Sequence, residues 1–401
     1  MSNSRSAEDR TGAFVDPVDA LNSPEIQELA QLSVTKFRER SMHYEPSCTM
    51  PEENIRELFD RGWLTATVSK RLGGKGSNLD TDDPASYLQA IRVTARGCGS
   101  TAHCLQVNNH NNWTLDVLGT PDQHERYIKP QMENPVLVTG IGSEPNRRHM
   151  YIMTTKAKPL DNGDYLVNGV KNYATNAPMM HVAIVFTSVE GVDHWAENHL
   201  MTLIEPGQEG VEVDDDWYRP MGMRAAVSSL VTLKDVLVPS KNILGAPGDY
   251  PRMRWQGKYH LGFSANYLGV AEGIYDWFRG YITKKGKGKD PIVLLRTGEM
   301  KIALENAQST FHDAIRAWKT KSVVEAELLA MAAKYTTAKV ALQVCENVTM
   351  ASGSTALFEE FPLGRAIANV QTHIQHAGHD RTAQIIGQAE LGEEFDSTMQ
   401  R

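Results

Sequence analysis

The sequence predicts an α+β protein in three consecutive parts: an N-terminal helical domain, a central β-barrel or sandwich, and a C-terminal four-helix bundle. Three observations carry this. Apolar residues recur at helical spacing from Ser23 to about residue 132, and short alternating stretches bounded by turn residues replace them from Pro135. Helical periodicity returns at Tyr259 and then persists. The boundaries follow as a disordered lead-in over residues 1–20, a helical domain over 21–134, a β-domain over 135–250 and a bundle over 251–401.

Ser23 and Pro24 form an N-cap followed by proline at the first helical position, and Ile26, Leu29, Leu32 and Phe37 then repeat at roughly helical spacing. A second helix through Glu53 and Phe59 stops at Arg61-Gly62-Trp63. Two more run from Pro84 to about Ala95 and from Ser100 to Leu118, the latter closed by Gly119-Thr120-Pro121. In the β-domain, strands are expected at 154–159, 165–169, 181–186, 200–204, 211–214 and 229–236. Asp161-Asn162-Gly163-Asp164 marks a hairpin turn between the first two. The bundle begins with two stripes, one through Leu261, Ala265, Leu268 and Tyr275, the other through Met300, Leu304, Phe311 and Ile315. Helices from Val323 to about Met350 and from Arg365 to about Gln388 complete it.

Composition excludes several function classes. The formal charge of −8 argues against nucleic acid, which wants a basic face. The basic run from Lys284 to Lys289 is interleaved with glycines and reads as a solvated loop. No apolar run approaches the roughly 20 residues that cross a bilayer. The polar first 16 residues carry no signal-like stretch. Cys48, Cys98, Cys104 and Cys345 are scattered without a metal-ligand pattern, so free thiols in a reducing cytoplasm are expected.

Several fragments, in order, resemble the acyl-CoA dehydrogenase family. Leu72-Gly73-Gly74-Lys75-Gly76 is similar to its L-G-G-x-G turn, and Gly142-Ser143-Glu144-Pro145 to the T-E-P of its flavin strand. The run from Asn168 to Ala177 resembles N-G-x-K-x-W-I-T-N-A. Gly222-Met223-Arg224 with Val231 to Pro239 resembles the G-x-R…F-x-D-V-x-V-P ending of the family's β-domain. The likeness spans about residues 25 to 392. It implies a flavin whose ring edge meets Ser143 and Thr175, with Asn176 beside them and Tyr173 in place of the family's tryptophan wall. On the residues alone, Thr175 and Asn176 could instead merely cap a β-turn.

The family hosts two chemistries. Its dehydrogenases remove an α-proton with a carboxylate, whereas a second branch uses reduced flavin and O2, through a flavin hydroperoxide, to oxygenate a small aromatic, amine or sulfur compound. Three departures point to that branch, which includes 4-hydroxyphenylacetate hydroxylases and dibenzothiophene monooxygenases. The segment from Tyr281 to Gly288 lacks the arginine and phenylalanine of Y-A-x-x-R-x-x-F-G, and the stretch from Ile386 to Gly392 replaces the E-G-T that helps hold adenine. Pro362-Leu363-Gly364-Arg365 followed by Gln375-His376 resembles the oxygenase P-L-x-R…Q-H, whose histidine faces the flavin. The resemblance therefore implies reduced FMN or FAD from a separate flavin reductase, a homotetramer, and His376 as acid/base, a task suited to an imidazole near neutral pH.

Other positions stay open in the sequence. Glu360, in Phe358-Glu359-Glu360-Phe361-Pro362, falls where many dehydrogenases carry their base, so it is either an alternative base or an exposed loop acid. Four asparagines flank His110 inside a helix, which costs propensity. This makes His110 and Trp113 either pocket residues or part of a polar face at a subunit contact. Arg147-Arg148 either steers an anionic group or lies on the surface. His373, His376 and His379 step by three, but no cysteine or carboxylate pair completes a metal site, and no metal is expected.

Overall fold

The computed structural model describes residues 12–145, 147, 149–377 and 379–399. Residues 1–11 of the expected lead-in lie outside the described residues. Within the same lead-in, Pro17–Asn22 is helical rather than disordered, because Asp16 accepts from the Val18 N–H and Pro17 fits the first turn. The Asp16 carboxylate also pairs with Arg316 at 2.7 Å, tying this helix to the bundle.

The helix Gly99–Leu118 is buried along nearly its whole length. Its asparagines explain themselves here. The Asn108 amide donates to Leu64 O at 2.6 Å and its Oδ1 accepts from Val138 N at 2.8 Å. Asn109 donates to Trp63 O at 3.0 Å, and Asn112 to Leu64 O at 3.1 Å and Gln131 at 2.8 Å. The run thus satisfies backbone groups of a neighbouring loop and strand, which are costly to bury unpaired.

The expected barrel or sandwich is a seven-stranded mixed sheet: β1 (Leu137–Ile141), β2 (Lys156–Pro159), β3 (Tyr165–Ala174), β4 (Met180–Val189), β5 (His199–Ile204), β6 (Val211–Asp214) and β7 (Ser229–Val238), in the order β1-β4-β2-β3-β7-β6, with β5 on β4. β1, absent from the sequence expectation, lies parallel to β4. Ile141, Val167, Val185, Val231 and Val236 form an apolar core within the sheet, separate from the main core. The register of β3 against β7 shifts between Lys171 and Ala174, and Tyr173 takes φ of 61°. That bulge re-aims the end of β3.

Helices His260–Lys284, Pro291–Thr320 and Val323–Ser352 build the bundle. Asp290 caps the second, and Ser322 with Glu325 forms a capping box on the third. The expected continuous fourth helix is interrupted: Leu363–His373 is followed by a tighter turn, Ile374–Ala377, and then by His379–Glu390. The sequence has Ala377-Gly378 at this point, a pair expected to disrupt the turn because glycine weakens a helix. Gly378 and the His379 side chain lie outside the described residues, as does Arg148. Among the described residues, no helix is long and apolar enough to cross a membrane.

Candidate active site

A cleft of about 1050 Å³ opens where the sheet meets the helices. The Gly99–Leu118 helix contributes Gln106, His110 and Asn111 to it, and the end of β1 contributes Gly140, Gly142 and Ser143. Tyr173 and Thr175 come from the bulged end of β3, His260 and Phe263 from the first bundle helix, Lys334 from the third, and His376 from the turn in the broken fourth. A second cavity of about 1000 Å³ shares Tyr173, Thr175 and His376 with the first and continues past Tyr218, Met223 and Ser228.

Five sequence-predicted residues therefore converge: Ser143, Tyr173, Thr175, His110 and His376. Three do not line either cavity. Asn176 sits one step deeper, buried at φ 76°, where its amide donates to Cys104 O at 3.2 Å. Trp113 is fully buried in the core, its ring edge-on to Trp255 at 5.1 Å. Glu360 is exposed, in the turn closed by the Phe361 N–H to Phe358 O bond.

Close packing fixes the floor. A Cβ added to Gly262 would lie 2.5 Å from His110 Cε1, and one on Gly140 would lie 2.2 Å from Asn111 Oδ1. His110 lies flat on Tyr259, centroids 4.4 Å apart. Below β1, Glu144 and Lys171 form a fully buried pair at 2.9 Å, and Glu144 also accepts from the Thr155 N–H and hydroxyl. Burial opposes the charge on Glu144, but Lys171 and the Thr154 and Thr155 N–H groups overcome it and hold the carboxyl at about 2. The pair fixes the chain on either side of Ser143 and Tyr173.

The cleft is rich in imidazole. The His103 ring lies 4.6 Å from that of His373 and 5.8 Å from that of His376, which itself rests 4.7 Å from Phe263. Burial pushes His103 down to about 4, His110 to about 3 and His373 well below the usual range, so these rings are neutral at neutral pH. His376 is exposed, so it is the ring of this trio placed to exchange protons with water. The Thr175 hydroxyl bonds Ser228 at 2.8 Å. The His110 Nε2 is buried and makes no hydrogen bond within the protein, and the buried Gln106 amide meets only the His103 ring. A polar ligand in the cleft would satisfy the His110 nitrogen. Among the described residues no Asp or Glu lines either cavity, and no group of three or more His, Cys, Asp or Glu could hold a metal ion.

Sequence reasoning missed Gln106, His260, Phe263 and Lys334 as lining residues. Lys334 carried a signal: a lysine in an alanine-rich helical stretch, seven residues after Glu327 and so on its face. Arg147, left open by the sequence, lines the cleft with its guanidinium donating to Gly142 O at 3.1 Å and His149 O at 2.9 Å.

Three family models match the chain in order: the acyl-CoA dehydrogenase N-terminal domain over residues 24–134, its middle domain over 141–236 and its C-terminal domain over 261–381. A dibenzothiophene monooxygenase of Mycolicibacterium goodii is 26% identical over 353 residues, covering 81% of this chain and 83% of its own. A short-chain-specific acyl-CoA dehydrogenase of Clostridium acetobutylicum is 22% identical over 375 residues, covering 90% and 96%. Among solved structures, a complex of TdsC from Paenibacillus sp. A11-2 with FMN and indole matches with a TM-score of 0.83 at 22% identity, over 94% of this chain and 99% of that one. This last likeness concerns the fold.

Proposed function

The chain belongs to the acyl-CoA dehydrogenase superfamily, and from that premise we propose that it is a two-component flavin-dependent monooxygenase. In this reading a separate reductase supplies reduced FMN or FAD, and O2 is the oxidant for a small aromatic, amine or sulfur substrate. The observation that carries it is the lining of the cleft: imidazoles and cations, with no carboxylate among the described residues to take an α-proton. Glu360, the base that a thioester dehydrogenase would need, is exposed and outside both cavities. The family relatives include enzymes named for both chemistries, so the reading rests on the lining.

The residues present fit a planar, polar ring. The two cavities join at Tyr173, Thr175 and His376, and the Gln106 amide and the unmet His110 Nε2 lie along the same cleft. When bound, reduced flavin supplies the electrons that activate O2 for insertion of one oxygen atom. Tyr173 would wall one face of the ring, and the Ser143 and Thr175 hydroxyls would hold its edge. His376 carries protons between the reacting centre and water on its imidazole nitrogen, a step typically worth about 10²–10⁴-fold. Neutral His103 and His373 beside it keep a second positive charge out of its neighbourhood. The substrate occupies the arm walled by Tyr250, Tyr259 and Phe263.

Exposed Ile292, Leu294, Leu295 and Ile302 along one bundle helix favour packing against copies of this chain, as in a homotetramer. Four buried free thiols favour action in the cytoplasm. The test is His376→Ala, assayed with reductase-supplied FMN and, separately, for flavin affinity. Oxygen transfer is expected to fall about 100-fold or more with flavin affinity within about threefold. Unchanged transfer would remove His376 from the mechanism.

A further inference from the structure

The loop between β6 and β7 brings Tyr218, Met223 and Ser228 to the second cavity, beside Thr175 at the end of β3. The buried Tyr218 phenol stands 2.9 Å from Met223 O. A carbonyl only accepts, so the phenol's one hydrogen lies between them. Burial pushes this phenol up, and it keeps that hydrogen throughout the neutral range. The Ser228 hydroxyl also meets the phenol oxygen, and it can do so only as the donor. Ser228 in turn lies 2.8 Å from the Thr175 hydroxyl. Its own hydrogen is committed to Tyr218, so the bond between them runs from Thr175 to Ser228. Three hydrogens thus serve three bonds, all in one direction. Reversing the last would leave the buried Ser228 and Tyr218 oxygens facing each other with no hydrogen between them.

Thr175 lines both cavities. With its hydrogen turned to Ser228, its hydroxyl presents lone pairs to them and no donor. The neutral His103 ring comes within 3.5 Å of the same oxygen and can bond it only by donating. A ligand edge that bonds Thr175 must likewise bring a hydrogen. Reduced flavin carries one on N5, whereas oxidised flavin has a bare lone pair there.

We propose that Ser228 and Tyr218 are positioning residues that fix the Thr175 hydroxyl as an acceptor, so that the site takes reduced flavin in preference to oxidised. Both act through Thr175. The inference rests on the reading that a flavin ring edge meets Thr175, and it adds how the site tells the two redox states apart. A site of this polarity lets the flavin leave once it is oxidised, as an enzyme fed by a separate reductase requires.

The test is anaerobic titration of the purified chain with FMN and with dithionite-reduced FMN, followed by protein fluorescence, together with the midpoint potential of bound FMN. The unaltered chain is expected to bind reduced FMN about tenfold tighter or more, which raises the potential by about 30 mV or more over that of free FMN. Ser228→Ala releases the Thr175 hydrogen to turn toward the ligand. The preference is then expected to fall below about threefold, through tighter binding of oxidised FMN. Tyr218→Phe frees the Ser228 hydrogen and is expected to narrow the preference in the same sense, so it serves should Ser228→Ala fail to fold. A merely structural role would weaken both states alike and leave the potential unmoved. Equal or tighter binding of oxidised FMN by the unaltered chain, or a preference that survives both substitutions, overturns the proposal. Failure to bind FMN in either state removes the flavin reading and the proposal with it. Binding requires no oxygen, so a confirmed preference in a chain that inserts no oxygen would count against the monooxygenase reading alone.

Discussion

At the residue scale, the Glu144–Lys171 pair bears on the cleft without entering it. Both side chains are fully buried, and each is the other's only ionic partner among the described residues. Removing one leaves a buried charge unpaired, which costs about 3–5 kcal/mol. Glu144→Gln is therefore expected to lower unfolding free energy in urea by that amount, and a change under about 1 kcal/mol would mean that the pair does not hold the strand. Gly262 makes a second residue-scale case. With a Cβ there only 2.5 Å from His110 Cε1, Gly262→Ala must displace the imidazole from its stack on Tyr259. It is expected to weaken binding of aromatic probes about tenfold, a loss of about 1.4 kcal/mol; unaltered affinity would show that His110 does not line the bound ligand. Ser143, Thr175 and His376 were legible in the sequence because each sits in a motif. Lys334 was not, because a buried lysine looks like any surface lysine until the helix around it is packed.

At the element scale, the Gly99–Leu118 helix ties the N-terminal domain to the sheet, and its asparagines are the means. Asn108 alone serves both Leu64 O and Val138 N. Asn108→Ala leaves that acceptor and that donor unmet in the interior and is expected to cost about 2–4 kcal/mol, measured by chemical denaturation; a loss below about 0.5 kcal/mol would mean that the amide is dispensable. The sequence made the low helix propensity of this run visible but not its purpose, since the backbone partners in a loop and a strand lie at least 30 residues away. The helices of the N-terminal domain and bundle were legible from caps and stripes. Two elements were not. β1 is five residues long and buried, giving no alternation to read. The fourth helix kept enough periodicity on both sides to be read as one run, with Ala377-Gly378 disturbing only a turn, yet the turn at 374–377 is what carries His376 into the cleft.

At the scale of the whole molecule, burial of neutral histidines makes stability fall with acid. His103 is held at about 4, and His110 and His199 at about 3, all by burial, against an ordinary value of 6.5. Between those limits the unfolded chain binds more protons than the folded one. The stabilising contribution is therefore complete above about 6.5 and is lost as pH falls toward 3, at about 1.4 kcal/mol per pH unit for each ring. Glu144 adds to the loss below 4.5, since its folded value is about 2. Denaturation series at pH 7, 5.5 and 4.5 are expected to give steadily lower unfolding free energies; a flat profile across that range would show that these rings are protonated in the folded state. The three-part order was legible at this scale because the period of the apolar pattern changes twice along the chain. The joining of the two cavities at Tyr173, Thr175 and His376 was not, since it depends on how the sheet docks on the helices.

The central claim is that a cleft lined with imidazoles and cations, and lacking a carboxylate among its described residues, serves oxygen insertion rather than proton abstraction from a thioester. The most direct measurement supplies the protein with isotopically labelled O2, reductase-reduced FMN and three probes, a phenol, an indole and a thioether, and follows the label by mass spectrometry. One labelled oxygen atom in the product of at least one probe is the expected result. No label in any of the three, together with anaerobic bleaching of the bound flavin by a butyryl thioester, would contradict it.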